Sequence, residues 1–256
     1  MTDLPFIEPT LNIPDKDLPP ISILIPCYQR RKFISMILAN ITGLDYPKEK
    51  LELCILQDGD QDLFIDKERY ENFIKLLHPV KVNYIYEKDI RRTIGEKRNK
   101  LVKMATHKYL ANMDSDDIYI PSYLRHSINA LKEFNAGITT SASMLFVYPK
   151  LDFQTSAIHC IKKIQGHEAC CVYTKKYFNS VGGYNKSSQG EGTKLLGGSD
   201  NKIINLDISK LMICVCHDGD EGNTINKDQF KDENPKTFEF VKEGPWRDLL
   251  ILITKQ

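Results

Sequence analysis

The chain has 256 residues, 41% of them hydrophobic and 27% charged, the balance of an ordinary globular protein and not of a disordered one. A chain of this length can bury roughly 70–75% of its unfolded surface, enough for one large domain or two small ones. Thirty-five Lys and Arg against 34 Asp and Glu leave a formal charge of +1, which excludes a broadly basic surface that coats nucleic acid, so any polyanion has to be met by a local cluster.

Residues 1–20 are punctuated by Pro5, Pro9, Pro14, Pro19 and Pro20 and read as an extended arm. The arm carries Asp3, Glu8, Asp15 and Asp17 and has no apolar core of the secretory type. A short apolar run at 21–25, closed by Pro26, has the pattern of a buried strand. Helical spacing follows over 31–43 (Phe33, Ile37, Leu38, Ile41), ending at Gly43. A strand at 51–57, a helix near 68–77, a strand at 80–86, a helix over about 95–107 and a strand at 109–113 complete the first half. Strands alternating with helices predict an α/β protein with an open, mostly parallel sheet and helices on both faces.

Past residue 120 the pattern weakens. A helix fits 121–135, strand-like stretches fit 138–148 and 157–164, a helix from 174 ends at Gly182 and Gly183, and 211–216 reads as a strand leading into His217. There is no internal repeat and no convincing linker, so one domain over 21–256 is expected, with 21–120 as its regular half and 121–256 as its variable half. The longest apolar run near the end, 249–253, is far short of the ~20 residues that span a bilayer, so no membrane span is expected. The seven cysteines lack zinc-type spacing and read as buried small hydrophobes in a reducing, cytoplasmic compartment.

Ligands of open α/β sheets bind beyond the carboxyl ends of the strands. Pro26-Cys27-Tyr28 follows the first strand, Asp58-Gly59-Asp60 the second and Asp114-Ser115-Asp116-Asp117 the fourth, so three polar turns should converge on one edge. Asp114 and Asp116 offer hard oxygens of the kind that hold Mg²⁺ or Mn²⁺ beside phosphate, although Asp117 or a neighbour could equally cap the next helix. A calcium loop is excluded, because Tyr119 and Arg125 stand where its glycine and glutamate belong. The segment 91–100 (Arg91, Arg92, Lys97, Arg98, Lys100) is locally basic and could hold a diphosphate through Arg forks and a helix N-terminus; a solvated helix face is the other reading. No P-loop exists and no Gly-x-Gly-x-x-Gly follows a strand, which removes the usual support for kinase-like and dinucleotide-binding readings.

Four segments in order resemble the motifs of family 2 glycosyltransferases with the GT-A fold: Ser22-Ile-Leu-Ile-Pro-Cys-Tyr-Gln-Arg30, Leu56-Gln-Asp58-Gly59, Gly95-Glu-Lys-Arg98-Asn99 and Met113-Asp-Ser-Asp-Asp117. Val181-Gly-Gly-Tyr184 is similar to the family's later Gly-Gly-aromatic turn, and the likeness runs from about residue 20 to 225. The resemblance implies a Rossmann-like nucleotide half in which Pro26 and Tyr28 line the nucleotide pocket and Asp58 hydrogen-bonds a uracil-type base. It further implies Arg98 near the phosphates, Asp114 toward the ribose, Asp116 on a Mn²⁺ or Mg²⁺ ion of DxD type, and His217 completing the metal shell. The donor would be a UDP-sugar of the UDP-glucose class, and transfer to an acceptor hydroxyl would be inverting.

Inverting relatives take the acceptor proton with a carboxylate after the Gly-Gly turn, from a Glu-Asp-like motif that this chain does not reproduce. Glu191, between glycines, is the first candidate and Asp200 the second; either could instead cap a helix. His167, in Gly166-His-Glu-Ala, resembles the acceptor-side loop. The processive Gln-x-x-Arg-Trp motif is missing, the only tryptophan being Trp246, so transfer of a single sugar is expected. The Lys-, Ile- and Asn-rich composition resembles small glycosyltransferases of large DNA viruses. Two other readings stay open: a non-catalytic nucleotide- or glycan-binding module on the same fold, and a nucleotidyltransferase. The acceptor, a glycan or a protein, and the assembly state, monomer or homo-oligomer, are not legible.

Overall fold

A computed structural model describes residues 6–159, 166–197, 203–217, 241 and 243–254. Its main sheet has seven strands: β1 (Ile21–Tyr28), β2 (Leu51–Gly59), β3 (Lys81–Lys88), β4 (Tyr109–Asn112), β6 (Ile138–Thr140), β9 (Val172–Thr174) and β10 (Ile203–Asn205). The order across it is β10-β6-β9-β4-β1-β2-β3, parallel except for β9, which runs antiparallel to both β4 and β6. A second sheet of four strands, in the order β5-β11-β7-β8, holds β5 (Ile118–Tyr119), β7 (Ser143–Tyr148), β8 (Gln154–His159) and β11 (Met212–Val215).

Alternation along the central strands builds two cores. Ile21, Ile23, Ile25 and Cys27 of β1 face one core with Leu51, Leu53 and Ile55 of β2, under α1 (Ile34–Gly43), α2 (Lys67–Leu77) and α4 (Tyr123–Glu133). Leu24, Cys54, Leu56 and Leu110 face the other, under α3 (Ile94–Met104) and α5 (Lys175–Val181). Helices therefore cover both faces. Each central strand is buried on two sides, which is why it reads as a continuous apolar run.

The structure departs from the sequence-based elements at definite places. β1 does not stop at Pro26 but continues to Tyr28, in register with Asp58. Leu24 O accepts from Met113 N, so Pro26, two residues on, turns its nitrogen to the same side, beyond the last paired residue of β4, where no ladder bond is lost. The stretch 138–148 is two strands in different sheets, broken at Ser141-Ala142, where Asn205 Oδ1 takes the Ala142 N–H (2.7 Å). A short helix α6 (Thr193–Leu196) follows the Gly-Gly turn, and the apolar run near the end is part of a helix α7 (Pro245–Thr254) that buries Leu250 and Ile253. No helix among the described residues is long and apolar enough to cross a membrane.

Residues 6–20 are extended apart from one short turn and lie against α4: the Thr10 and Leu11 N–H groups donate to Glu133 at 2.8 and 2.9 Å. Cys27, Cys54, Cys170, Cys171, Cys214 and Cys216 are buried and unbridged, and burial pushes the thiols of Cys27, Cys54 and Cys170 up to about 12. Cys160 lies outside the described residues.

Candidate active site

The turn after β4 is held from several sides. Asn40 of α1 donates to Asp117 O (2.8 Å) and accepts from Tyr119 N (2.8 Å), so one buried amide clamps both ends of the turn. Asp117 caps no helix; its buried carboxylate accepts the Val215 N–H at 2.9 Å, tying the turn to β11. The antiparallel register of β5 and β11 (Ile118 with Ile213, Tyr119 with Met212) then carries the chain on past Asp117 to His217. There His217 Nε2 lies 3.0 Å from Asp116 Oδ2, across 101 residues of sequence. Arg30 Nη2 reaches the same oxygen at 2.9 Å. Burial opposes ionisation of Asp116, but Arg30 and His217 outweigh it and hold the carboxyl below the usual range.

The Gly95–Asn99 segment uses each residue differently. A Cβ at Gly95 would lie 1.8 Å from Asn185 O, so the glycine lets α3 touch the loop after the Gly-Gly turn. Lys97 Nζ donates to Asp58 Oδ1 (2.8 Å) and to Cys27 O (3.0 Å). Arg98, 2% exposed, pairs with Asp114 (2.8 Å) and approaches Glu191 (3.5 Å), while its Nη1 finds no acceptor among the described residues. Asn99 bonds both the N–H and the C=O of Tyr184. The open helix N-terminus expected here is not available. Thr93 and Glu96 form a capping box, Gly95 N–H goes to Ser187 O and Ile94 N–H to the Ser188 hydroxyl, so the first-turn donors are already taken. Of the basic side chains, Arg92 and Lys100 are tied to Glu87, and Arg91 lies over the Tyr28 ring, 3.2 Å from its centroid.

Two adjoining cavities open at this edge. The first, about 270 Å³, is lined by Pro26, Tyr28, Arg30, Arg91 and Lys97. The second, about 390 Å³, is lined by Arg98, His167, Glu168, Glu191 and Cys214, and both share Asp114 and Asp116. Of the residues singled out in the sequence, Pro26, Tyr28, Arg98, Asp114, Asp116 and Glu191 line these cavities, and His217 joins them through Asp116. Asp58 does not line them. It is fully buried behind the first cavity, with both oxygens engaged, by Lys97 and by the Arg92 N–H (2.6 Å). Asp200 lies outside the described residues.

His167 Nδ1 accepts the Ala169 N–H (3.2 Å), which leaves the ring proton on Nε2, 3.4 Å from Cys214 Sγ. Burial pushes this imidazole down to about 4, so it stays neutral where it lines the second cavity. Arg30 and Glu168 escaped the sequence reading as functional residues, and Lys97 entered it only as one charge of the basic segment 91–100. Arg30 and Lys97 sit inside the quoted motifs and Glu168 beside His167, but only their partners give them roles.

Asp116 and His217 offer a carboxylate and an imidazole, donor types that a divalent ion takes, but here the 3.0 Å contact of Oδ2 and Nε2 is a hydrogen bond and Arg30 holds the same oxygen. Among the described residues no group of three or more His, Cys, Asp or Glu gathers as a full cage, and a carboxylate plus an imidazole with phosphate oxygens is the set an Mn²⁺-class ion accepts beside a nucleotide.

Known proteins are similar to this chain in sequence and in fold. Residue by residue, the chain is 30% identical over 129 residues to a poly(ribitol-phosphate) β-glucosyltransferase of Bacillus spizizenii, covering 46% of this chain and 18% of that protein. In fold it is similar to residues 1–349 of Staphylococcus aureus TarS in complex with UDP-GlcNAc (TM-score 0.62, 14% identity, 81% of this chain and 61% of that one). It is also similar to a mannosyltransferase of Pyrobaculum calidifontis in complex with GDP-Man and Mn²⁺ (TM-score 0.56, 17% identity, 79% of this chain and 58% of that one). The chain thus spans less than two thirds of the length of each. These likenesses make the fold GT-A. The sequence profile of glycosyl transferase family 2 matches residues 22–153, about half of the chain, and with the site just described it places this protein in that family.

Proposed function

We propose that this chain is a divalent-metal-dependent, inverting hexosyltransferase that moves one sugar from a UDP-sugar, of the UDP-glucose class, to an acceptor hydroxyl. The observation that carries the reading is the joint boundary of the two cavities, where Asp114 and Asp116 stand between the Tyr28 side and the Glu191 side. A nucleotide in the first cavity, with its sugar in the second, would put the diphosphate at that boundary. The names of the relatives support a nucleotide-sugar donor: one is a glucosyltransferase, and one solved neighbour is a complex with UDP-GlcNAc.

In this reading Tyr28 and Arg91 take the base side and Asp114 the ribose. Asp58 acts on the base pocket from behind, by fixing Lys97 and the Arg92 backbone. Arg98 has a buried Nη1 without an acceptor among the described residues, a cost of roughly 1–3 kcal/mol that a phosphate or sugar oxygen would remove. Arg30, Lys97 and Arg98 are the charges that meet the growing negative charge of the leaving nucleoside diphosphate. Asp116 and His217 would hold the Mn²⁺ or Mg²⁺ ion, which when bound supplies Lewis-acid neutralisation of the diphosphate.

The test is release of nucleoside diphosphate from a panel of UDP-glucose, UDP-GlcNAc, UDP-galactose and GDP-mannose, with Mn²⁺ and with chelator. Metal-dependent release from one UDP-sugar, lost in Asp116→Asn, is expected. UDP binding without release from any donor would turn the reading to a non-catalytic module.

A further inference from the structure

The transfer proposed above needs a group to take the acceptor proton, and the acids around the second cavity are not equivalent. Asp114 is paired with Arg98, and Asp116 with Arg30 and His217. Asp117 is spent on the Val215 N–H. Glu191 lies against the buried Arg98 guanidinium. Glu168 differs: it lines the same cavity, and no cation among the described residues pairs with it.

Its place is built by two elements. On its own side, Glu168 O accepts from Asn112 Nδ2 at the end of β4 (2.6 Å), and the next residue's carbonyl, Ala169 O, accepts from the Tyr119 hydroxyl (3.0 Å). On the facing side stands Gly192. A Cβ there would lie 2.1 Å from Glu168 Cγ and 2.7 Å from Oε1, so the glycine backbone is the wall against which the carboxylate rests. The position after Glu191 is therefore bare, and a carboxylate from the loop before β9 fills the space its side chain would take.

We infer that Glu168 is the catalytic base of this site, resting on the transferase reading, with Glu191 holding Arg98 instead. In the step, the acceptor oxygen forms a bond to the anomeric carbon. The bond from that carbon to the diphosphate oxygen breaks, and its electron pair leaves with the nucleoside diphosphate. The acceptor's hydroxyl proton passes to a Glu168 carboxylate oxygen and from there to water.

The surroundings suit a base. Burial raises the Glu168 carboxyl above its ordinary range; Glu191 from the facing loop and Asp114 from the turn after β4 add to this, while its own backbone N–H and Arg98 from α3 oppose it. The neighbouring His167, neutral at physiological pH, adds no charge. A carboxylate of raised pKa is the better proton acceptor.

The experiment compares wild type, Glu168→Gln and Glu191→Gln in metal-dependent transfer, with donor binding followed by calorimetry. Glu168→Gln is expected to lower kcat about 10²–10⁴-fold with donor affinity within a few-fold of wild type. The acid limb of the wild-type kcat/KM profile should lie above the ordinary glutamate range and vanish in this variant. Glu191→Gln should weaken donor binding and keep that limb. Glu168→Gln transferring at the wild-type rate, or losing donor binding together with transfer, overturns the assignment while leaving the transferase reading standing. A wild type that releases no nucleoside diphosphate from any donor overturns both.

Discussion

Lys97 Nζ lies 2.8 Å from Asp58 Oδ1 in an ion pair that solvent does not reach, the lysine side chain being 4% exposed and the aspartate 0%. The pair joins α3 to the end of β2, and its lysine lines the first cavity while the aspartate lies behind it. Burial lowers the lysine's pKa, and the hydrogen bond and charge of Asp58 oppose that shift. Lys97→Met leaves an uncompensated buried carboxylate and should cost about 3–5 kcal/mol of stability. Adding Asp58→Asn should recover part of that loss. Urea unfolding of the two single variants and the double variant checks this; a coupling energy near zero would mean that the pair is idle.

Asp116 and His217 give a prediction independent of turnover. Mn²⁺ should raise the unfolding temperature of the wild type, with a gain of about 2.7 kcal/mol at a hundredfold excess over Kd. Asp116→Asn and His217→Ala should each reduce the shift, and chelator should abolish it. Thermal scans against a metal titration decide; an unchanged shift in both variants would place the ion elsewhere.

At the opposite end of the sheet, Glu52 of β2 is fully buried and accepts from Ser22 Oγ (2.5 Å), Thr106 N (2.7 Å), Asn83 Nδ2 (2.8 Å) and Lys81 Nζ (3.2 Å). Burial opposes its ionisation, but these donors outweigh it and hold the carboxyl at about 2. The folded-state pKa is thus below the unfolded one, so the stabilisation is fully present above the unfolded value, near 4.5, and is lost as pH falls towards 2. By linkage it is on the order of 3 kcal/mol. Glu52→Gln should flatten the loss of stability between pH 5 and roughly 2. Denaturation midpoints measured across that range show whether it does.

Gly192→Ala adds one methyl where Glu168 now rests. If Glu168 is the base, kcat should fall at least tenfold with little change in donor KM, since the nucleotide side is untouched. The fold should hold, because such overpacking costs about 1–3 kcal/mol. Steady-state kinetics with circular dichroism separates misplacement from unfolding. An unaltered kcat would count against the role of Glu168.

Much of the molecule was readable from local patterns. The α/β alternation through residue 113 follows from apolar periodicity, which each segment carries within itself. The turns after β1 and β4 and the basic start of α3 could be placed at one edge, because strand ends in a parallel sheet face the same way. Beyond residue 120 the strands are short and change sheets, as at Ser141-Ala142, so periodicity has too few residues to show itself.

What the sequence determined by itself is therefore the fold class, the family and the edge where the candidate site lies. Which side chains meet there was decided by the tertiary structure alone. The β5–β11 register brings His217 to Asp116, the close seat of Gly95 brings Glu191 to Arg98, and the bare backbone at Gly192 admits Glu168. Asp58 turns towards Lys97, away from open space, for the same reason. A residue type announces what chemistry it can do, whereas a partner 101 residues away is chosen by the path of the chain between them.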